Sequence, residues 1–371
     1  MNILQICNDY SGSKVHENLF YELSKFGIKQ TIYCPTQLNV QVTNKHTEHE
    51  GIIVIFDKII KSYHRYMYHI KRREVFSSIQ QKVNLTEVDL VHASTLFTDG
   101  GQAFLINKKY KIPYIVTVRN TDINGFLKKL PHTWNSGRSI LLNAKRIIFV
   151  SQALMDKFMG HRAIRSILPI IKDRIDLIPN GIDNYYLDHI SNQQHQGHRL
   201  LYVGDFSKNK NVRRLCEAII SIKEDRLFKD ISLTLIGGGR DSDGIVQKII
   251  KAHPDVFLYI GPIYSKDKLL EEYASHSVFA MPSITETFGL VYLEALTQNL
   301  PVVYTKGQGI DGLFNQSIGI GVNPKSIPDI KNAIISILSN QNDYSNKVID
   351  FNNFRWSTIA QKYINRYKLI I

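Results

Sequence analysis

Two glutamates eight positions apart, Glu286 and Glu294, are the residues of this 371-residue chain whose spacing most directly indicates chemistry. Glu286 follows an apolar run, Ser277–Met281, that reads as a strand, and Glu294 lies in the helical pattern Leu290–Thr297. Ligands of α/β proteins bind beyond the carboxyl ends of strands, where helix N-termini offer free N–H groups to phosphate. Two carboxylates there can accept hydroxyl donors from one ligand, which suggests a sugar nucleotide. The alternative is a helix-terminal acid plus a solvated helical glutamate.

Lys210 supplies a cation in a comparable setting. It follows Gly204, at the end of the strand-like run Leu200–Val203, after a short polar loop, and it precedes a helical pattern. A cation at that place complements a diphosphate. The alternative is a solvent-exposed loop lysine, the more common position for this residue type.

These residues belong to a pattern that resembles the signature of retaining glycosyltransferases of family 4, which have the GT-B fold. The core of the pattern is Glu-x7-Glu with Phe288-Gly289-Leu290 between the acids. The resemblance covers about residues 178 to 298 and is weaker in the N-terminal third. Further matches occur in the family's order: Ile178–Asp183, Val203-Gly204, Lys210-Asn211, Leu235–Gly239 and Tyr259–Gly261.

The resemblance implies a role for each matching residue. Lys210 would bind the donor's diphosphate and neutralise the leaving group, Glu294 would bind the ribose hydroxyls, and Glu286 would contact the donor sugar. Glu286, Lys210 and Arg119 are therefore the expected catalytic residues. The other expected donor-binding positions are Gly204, Phe288, Gly289 and Leu290, together with Gly261, Pro262 and Ile263 around the base.

Two positions depart from the family pattern. Asp205 stands where members usually have arginine after the glycine, so half of the cationic clamp is missing; Arg213, Arg214 or a first-domain arginine could replace it. Arg119 occupies the position of a frequent first-domain histidine. Arginine cannot act as a general base at neutral pH, but it can bind a phosphate of the donor or the acceptor.

The loop after the first strand-like run offers a second phosphate or acceptor site. The family usually has a glycine-rich loop there, and Gly12 and Ser13 are the corresponding candidates in this chain. Glycine would permit close approach of the backbone to a ligand. A single glycine is equally compatible with an ordinary strand-to-helix turn.

No metal or other cofactor is expected besides the nucleotide sugar as co-substrate. Asp241-Ser242-Asp243 has an Asp-x-Asp form, but it follows a strand-end glycine run, where acidic residues commonly cap a helix. The three cysteines, Cys7, Cys34 and Cys216, are far apart and lack metal-ligand spacing. They are expected to be buried thiols in a reducing compartment.

Strand-like and helical runs alternate along the chain in two series, which predicts an α/β protein with two doubly wound parallel sheets. The resemblance implies GT-B, with two facing Rossmann-like domains and a C-terminal helix that crosses back to the first. The expected parts are an acceptor-binding domain (1–185), a linker (186–198), a nucleotide-sugar domain (199–354) and the returning helix (355–371). The predicted strands are Asn2–Ile6, Gln30–Cys34, Ile52–Phe56, Val88–His92, Tyr114–Val118, Arg146–Val150 and Ile175–Ile178, then Leu200–Val203, Ser232–Ile236, Val256–Ile260, Ser277–Met281, Val302–Tyr304 and Ile318–Val322.

The charge of the chain is uneven. The net charge is +13, and residues 1–185 hold 25 Lys and Arg against 15 Asp and Glu. Lys58–Lys82 interleaves Lys61, Arg65, Lys71, Arg72 and Arg73 with aromatic residues, which is typical either of an amphipathic helix on an anionic membrane or of a solvated helix packed on its sheet. No nucleic-acid recognition motif is found.

Together these features predict a cytoplasmic enzyme, peripheral at the cell membrane if Lys58–Lys82 binds lipid. No signal-peptide pattern or long apolar run is found in the sequence. The predicted reaction moves a sugar from a nucleotide-diphosphate donor to a saccharide or lipid-linked acceptor with retention, in the assembly of cell-surface polysaccharide or glycolipid. The alternatives are a nucleotide-sugar epimerase of the same fold and a catalytically degenerate sugar-nucleotide-binding scaffold.

Overall fold

The structure is a computed structural model that describes residues 1–38, 49–239, 241, 244–314, 317–344 and 349–371. It divides into two compact units. Unit 1 comprises Met1–Val150, Leu154–Gly181 and Trp356–Ile371, and unit 2 comprises Ser151–Ala153 and Ile182–Arg355. Each unit is built on a parallel sheet with helices, which confirms the predicted fold class. No helix in the described part of the chain is both long and apolar enough to span a membrane.

Unit 1 contains a seven-stranded parallel sheet in the order β3-β2-β1-β4-β5-β6-β7. The order reverses between β1 and β4, which makes the carboxyl ends of these two strands a topological switch point. The strands are β1 (Asn2–Ile6), β2 (Lys29–Gln37), β3 (Ile52–Ile60), β4 (Leu90–Ala93), β5 (Tyr114–Val118), β6 (Arg146–Phe149) and β7 (Ile175–Leu177).

Helices cover both faces of this sheet, because side chains alternate along its strands. Ile3 of β1 lies in one apolar core with residues of α1 and α14, whereas Leu4 lies in the opposite core with residues of α2, α3 and α4. The helices are α1 (Lys14–Lys25), α2 (Tyr68–Lys82), α3 (Thr98–Tyr110), α4 (Trp134–Asn143), α5 (Gln152–Gly160), α6 (Arg162–Arg165), α7 (Leu168–Ile171) and α14 (Trp356–Lys368).

The last helix is seated in unit 1 by a glycine. Trp356, at the start of α14, is 4% exposed, and an added Cβ at Gly181 would lie 2.6 Å from its ring. Only a residue without a side chain permits this approach. Tyr367, near the other end of α14, shares a hydrogen bond of 2.8 Å between its hydroxyl and Nδ1 of the buried His92 on β4. Both ends of the helix are therefore fixed to the core of unit 1.

Unit 2 contains a six-stranded parallel sheet in the order β10-β9-β8-β11-β12-β13, with its switch point between β8 and β11. The strands are β8 (Arg199–Gly204), β9 (Ser232–Gly237), β10 (Phe257–Gly261), β11 (Val278–Ala280), β12 (Val302–Thr305) and β13 (Gly319–Val322). The helices are α8 (Asn184–Asp188), α9 (Val212–Glu224), α10 (Ile245–Ala252), α11 (Lys266–Ser275), α12 (Leu290–Thr297) and α13 (Ile327–Ser339).

The predicted helix Lys58–Lys82 is wrong over its first part. β3 continues to Ile60 because its pairing with β2 extends past Cys34, through Pro35 to Gln37. β2 pairs with β1 only as far as Tyr33, and proline is tolerated in a stretch paired on one side. A short 3-10 helix follows, and α2 begins at Tyr68.

The segment expected to be a linker, 186–198, is in part structured. The chain passes from unit 1 to unit 2 at Ile182, whereas the sequence predicts that the first domain ends at residue 185. Tyr186 and Leu187 of α8 are 4% and 5% exposed, because they contribute to the apolar core of unit 2. Composition does not reveal these two buried residues, because the sequence that follows the short helix is polar.

Candidate functional site

The predicted donor-site residues of unit 2 lie in the two loops at its switch point. Lys210 lies in the loop after β8, and Glu286 lies in the loop after β11; β8 and β11 are neighbours in the sheet. The Lys210 ammonium donates a hydrogen bond of 2.8 Å to Oε2 of Glu286. Their side chains are 24% and 14% exposed, so both are accessible to a ligand while partly shielded from water. The structure thus brings together a cation of the kind that pairs with phosphate and a carboxylate of the kind that accepts from hydroxyl groups, while their roles in binding stay predictions.

Asparagines on either side of Lys210 hold its loop against the loop of Glu286. The side chain of Asn209 accepts from the backbone N–H of Thr285 at 3.1 Å and donates to the Thr285 carbonyl at 2.9 Å. The buried Asn211 donates to the carbonyls of Pro282 and Pro324 at 2.9 and 2.7 Å. The pair Lys210-Asn211 is part of the family pattern, but neither that match nor an amide side chain on each side of the lysine indicates these contacts.

Asp205 shapes the β8 loop. Its Oδ1 accepts a hydrogen bond of 2.8 Å from the backbone N–H of Ser207, which closes a turn before Lys210. Arg213 is exposed and donates to Glu217, while Arg214 donates to Oδ1 of Asn211 at 2.9 Å. Of these two arginines, Arg214 is the one bonded to the immediate neighbour of Lys210.

Glycine is required at two places around Glu286. Gly289 has a φ of 82°, and a Cβ there would lie 2.4 Å from the ring of Tyr292. It precedes Leu290, the first residue of α12, and follows Phe288, which is 2% exposed in the core. Gly309, which no sequence pattern singles out, has a φ of 55° and donates its N–H to the Glu286 carbonyl at 3.2 Å.

Glu294 lies on α12 beside buried tyrosines. Its Oε2 accepts a hydrogen bond of 3.0 Å from the hydroxyl of Tyr273, which is fully buried. The pKa of Glu294 is raised to about 7, mainly by burial; the hydrogen bond from Tyr273 opposes the shift, the Asp183 carboxylate adds to it, and the charge of Lys266 opposes it. Glu294 therefore titrates near neutral pH.

The remaining donor positions lie at strand ends. The carbonyl of Gly204 accepts from the N–H of Gly238 at 3.1 Å, which joins the loops after β8 and β9. Gly261 ends β10 with a φ of 85°, Pro262 is exposed, and Ile263 packs against the core. Because β9 lies between β10 and β8, Gly261 is two strands away from Gly204 in the sheet. Their contact with a base stays a prediction.

Asp241 caps a helix. Its Oδ2 accepts from the backbone N–H of Gln247, in the first turn of α10, at 3.1 Å. Ser242 and Asp243 lie outside the described residues. Among the residues that the structure describes, no three His, Cys, Asp or Glu side chains lie close enough together to hold a metal ion.

Arg119 lies at the switch-point edge of unit 1, directly after β5. Its guanidinium donates from Nη1 to Oδ1 of Asn180 at 3.3 Å and from Nε to the Ser94 carbonyl at 3.4 Å. The nearby His92 is buried, and this burial, with the Arg119 charge as a second cause, lowers its pKa to about 3. A fixed cation beside a neutral histidine can bind an anion. The catalytic role of Arg119 stays a prediction.

Gly12 and Ser13 lie between β1 and α1. Gly12 ends a 3-10 turn, donates its N–H to the Asp9 carbonyl at 3.2 Å, and is not in the left-handed region. Ser13 precedes α1 without a side-chain capping hydrogen bond. Backbone conformation therefore does not explain the glycine, and the phosphate or acceptor loop stays a prediction.

Fold and site define an α/β protein that presents a lysine and two glutamates at the switch point of a parallel sheet. Two family descriptions match the chain: Glycosyltransferase Family 4 over residues 13–184 and Glycosyl transferases group 1 over residues 188–351. The chain belongs to glycosyltransferase family 4 and has the GT-B fold.

Sequence relatives agree with the family, and solved structures agree with the fold. The putative teichuronic acid biosynthesis glycosyltransferase TuaC of Bacillus subtilis is 23% identical over 361 residues, covering 90% of this chain and 88% of its own. Sucrose-phosphate synthase from Thermosynechococcus elongatus matches with a TM-score of 0.72 at 18% identity, covering 100% of this chain and 99% of that one. Anabaena Alr3699/HepE in complex with UDP and glucose matches with a TM-score of 0.66 at 16% identity, covering 100% of each chain.

Proposed function

We propose that this glycosyltransferase moves one sugar from a nucleotide-diphosphate donor to a hydroxyl of a saccharide or lipid-linked acceptor, with retention at the anomeric carbon. The observation that carries the proposal is the contact between Lys210 and Glu286 at the switch point of unit 2. Glu294 supports it from the next helix. Two relatives add support, since one is named for teichuronic acid biosynthesis and another is described with UDP and glucose.

The reaction would use positioning and charge compensation. The acceptor oxygen forms a bond to the anomeric carbon as the bond from that carbon to the leaving phosphate oxygen breaks on the same face. The acceptor proton passes to the leaving phosphate oxygen. Lys210 compensates the charge that grows on the diphosphate, and Glu286 orients the donor sugar through its hydroxyl groups. Glu294, when ionised, accepts two vicinal ribose hydroxyls.

We further propose that the reaction needs no metal ion. The diphosphate charge would be compensated by Lys210 together with Arg214. Arg214 lies in the first turn of α9 and is hydrogen-bonded to Asn211, the residue after Lys210. Asp241, the acid of the Asp-x-Asp form that the structure describes, is engaged as a helix cap.

The acceptor is proposed to belong to cell-surface polysaccharide or glycolipid assembly, with unit 1 near an anionic membrane. The support is an exposed segment of unit 1 in which Tyr66, Met67 and Ile70 are 79%, 49% and 43% exposed. Arg73, which lies on α2 with Ile70, is also exposed. Aromatic, apolar and cationic side chains together suit the headgroup region of an anionic bilayer.

A thermal-shift panel of nucleotide-diphosphate sugars tests the proposal. One donor is expected to raise the Tm by mass action, equally with and without EDTA, and its turnover should depend on an added acceptor. Isomerisation of the donor without an acceptor would establish the epimerase instead. Binding without any turnover across an acceptor panel would favour a scaffold, and a Tm shift that EDTA abolishes would contradict metal independence.

A further inference from the structure

Unit 1 contains a cavity at the carboxyl ends of its strands. None of the candidate catalytic, donor-binding or acceptor-loop residues lines it. Its volume is about 530 Å³, within the range of small-ligand sites. Asn8 follows β1, Thr95 follows β4 and Thr121 follows β5, and all three line the cavity. The rest of the lining comes from the segment before α2, with His64 and Tyr66, and from α2, α3 and the loop after β5. The cavity therefore lies at the switch point of unit 1, where α/β sheets bind ligands.

The charges that line the cavity are of one sign. Lys71, Arg72 and Lys129 line it together with His64 and His132, and no Asp or Glu is among its described lining residues. His69, beside the cavity on α2, has its pKa lowered by burial and then by the charges of Arg72, His132 and Arg73. Such repulsion between neighbouring cations is what an anionic ligand would relieve.

Two buried acids lie next to the lining, and one of them, Asp122, accepts hydrogen bonds from the backbone N–H groups of Leu96, Phe97 and Arg119. Asp99, on α3, is fully buried, and its Oδ2 accepts a hydrogen bond of 3.0 Å from the Thr95 hydroxyl. Burial raises its pKa to about 8, and the charge of Lys71 acts in the opposite direction. Even when both are ionised, these two carboxylates carry less charge than the three cations of the lining. The cavity therefore keeps a positive surplus.

Polar atoms of the cavity wall lack partners within the described part of the chain. Oε1 of Gln102, Oδ1 of Asn8 and Nε of Arg72 are buried and make no hydrogen bond there. Gln102 is only 2% exposed. Buried polar groups of proteins are nearly always hydrogen-bonded, so three without a partner beside one cavity are groups that a ligand would satisfy. Two acceptors and one donor suit a molecule with hydroxyls and an anionic substituent.

An aromatic face completes the cavity. Phe126, in a π-helical stretch (Asp122–Leu127), lines it and stacks on Phe97 with centroids 4.6 Å apart, while Tyr68 meets Phe126 edge-on at 5.9 Å. Gly101 of α3 lets α2 approach, because an added Cβ would lie 3.0 Å from both Arg72 Cδ and the Tyr68 hydroxyl. A rigid ring face of this kind packs against the C–H face of a sugar.

From this combination we propose that the cavity binds the acceptor saccharide through an anionic substituent, a carboxylate or a phosphate. The substituent pairs with Lys71, Arg72 and Lys129, the hydroxyls bond to Gln102 and Asn8, and the ring packs on Phe126. This assignment rests on the proposed transfer reaction for its biological meaning. Its chemistry, however, concerns binding within unit 1 and is testable without a donor.

The test is saturation-transfer NMR on the full-length protein at low salt with glucose 6-phosphate, glucuronic acid, glucose and inorganic phosphate. We expect at least one of the two anionic sugars to give at least a fivefold larger signal than glucose, and the better of them tells phosphate from carboxylate. Phosphate should displace the bound sugar only weakly. Equal signals from glucose and both anionic sugars, or complete displacement by an equal concentration of phosphate, would overturn the proposal.

Matched variants locate the binding. Lys129→Gln and Arg72→Gln should abolish the anionic-sugar signal, whereas Lys128→Gln and Arg73→Gln, which change exposed neighbours outside the cavity lining, should retain it. Equal signals in Lys128→Gln and Lys129→Gln would reject this cavity as the site. Donor binding, measured separately by the Tm shift, should survive in all four variants. Its failure in the wild type would count against the proposed reaction only.

Discussion

At the scale of single residues, the sequence reveals the charged groups of the donor site but not what holds them. Glu286, Glu294 and Lys210 are recognisable because their types and spacing match a family pattern. The contacts of Asn209, Asn211 and Gly309 are not recognisable, because the partners of the two asparagines lie 76, 71 and 113 positions away and Gly309 has a left-handed backbone. Such contacts exist only after the sheet has brought β8 and β11 together.

Lys210 should be essential for turnover. Lys210→Ala is expected to lower kcat/KM by about a hundredfold or more, because removal of a charge contact in the transition state costs about 3 kcal/mol. Lys208→Ala is the matched control, since Lys208 is an exposed lysine of the same loop. Steady-state kinetics with folding checked by circular dichroism decide the matter. A folded Lys210→Ala enzyme as active as Lys208→Ala would remove Lys210 from the site.

Glu294 should make donor binding depend on pH. Only the carboxylate can accept both ribose hydroxyls, and burial raises the pKa of Glu294 to about 7. As the pH falls below that value the ionised fraction drops, so the donor Kd should rise, by up to about tenfold per pH unit. Calorimetric titrations at several pH values measure this. Glu294→Gln should bind weakly and without the pH dependence, and an unchanged profile in this variant would refute the assignment.

Glu286→Gln is the comparison for that experiment. It should retain the pH dependence of donor binding while lowering turnover more than affinity, since only Glu286 is assigned to the reacting sugar. Equal and small effects in both variants would support the alternative interpretation, in which the two glutamates are ordinary loop and helix acids.

At the scale of elements, the strands and helices are largely predictable because apolar periodicity decides them. The strands β1 and β5 have the predicted bounds. The failures occur where tertiary pairing overrides local sequence. β2 continues through Pro35 and β3 through Ile60 because each has the other as partner. Likewise, the sequence suggests Lys71 and Arg72 as membrane-facing cations. In the structure they line a cavity, because Gly101 lets α2 pack closely against α3.

The seating of α14 gives a prediction for stability. Gly181→Ala should lower the free energy of unfolding of unit 1 by about 1 to 3 kcal/mol, since the added methyl group would overlap the Trp356 ring. Gly160→Ala is the control, because a Cβ there meets nothing within 4 Å. Both tryptophans, Trp134 and Trp356, belong to unit 1, so tryptophan fluorescence during urea unfolding follows that unit. Equal midpoints for the two variants would contradict this account of α14.

At the scale of the whole molecule, charge is distributed unequally between the two halves of the chain, and composition alone reveals it. What composition cannot reveal is which cations face outward. Lys71 and Arg72 are half-buried and line the cavity, whereas Arg73 is exposed beside Met67 and Ile70. A test of membrane binding should therefore change the exposed residues and leave the cavity intact.

The combined variant Met67→Ser, Ile70→Ser and Arg73→Ser should lose binding to anionic liposomes in a sedimentation assay at low salt. Each cation near such a surface contributes about 1 kcal/mol, the inserted apolar side chains add to it, and salt screens the charge term. The control is Leu227→Ser with Leu369→Ser, which changes two apolar residues that are 55% and 66% exposed elsewhere. Anionic-sugar binding should persist in both variants, because neither alters the cavity lining. Failure of the wild-type protein to sediment with anionic liposomes, or equal sedimentation of both variants, would favour an acceptor free in solution.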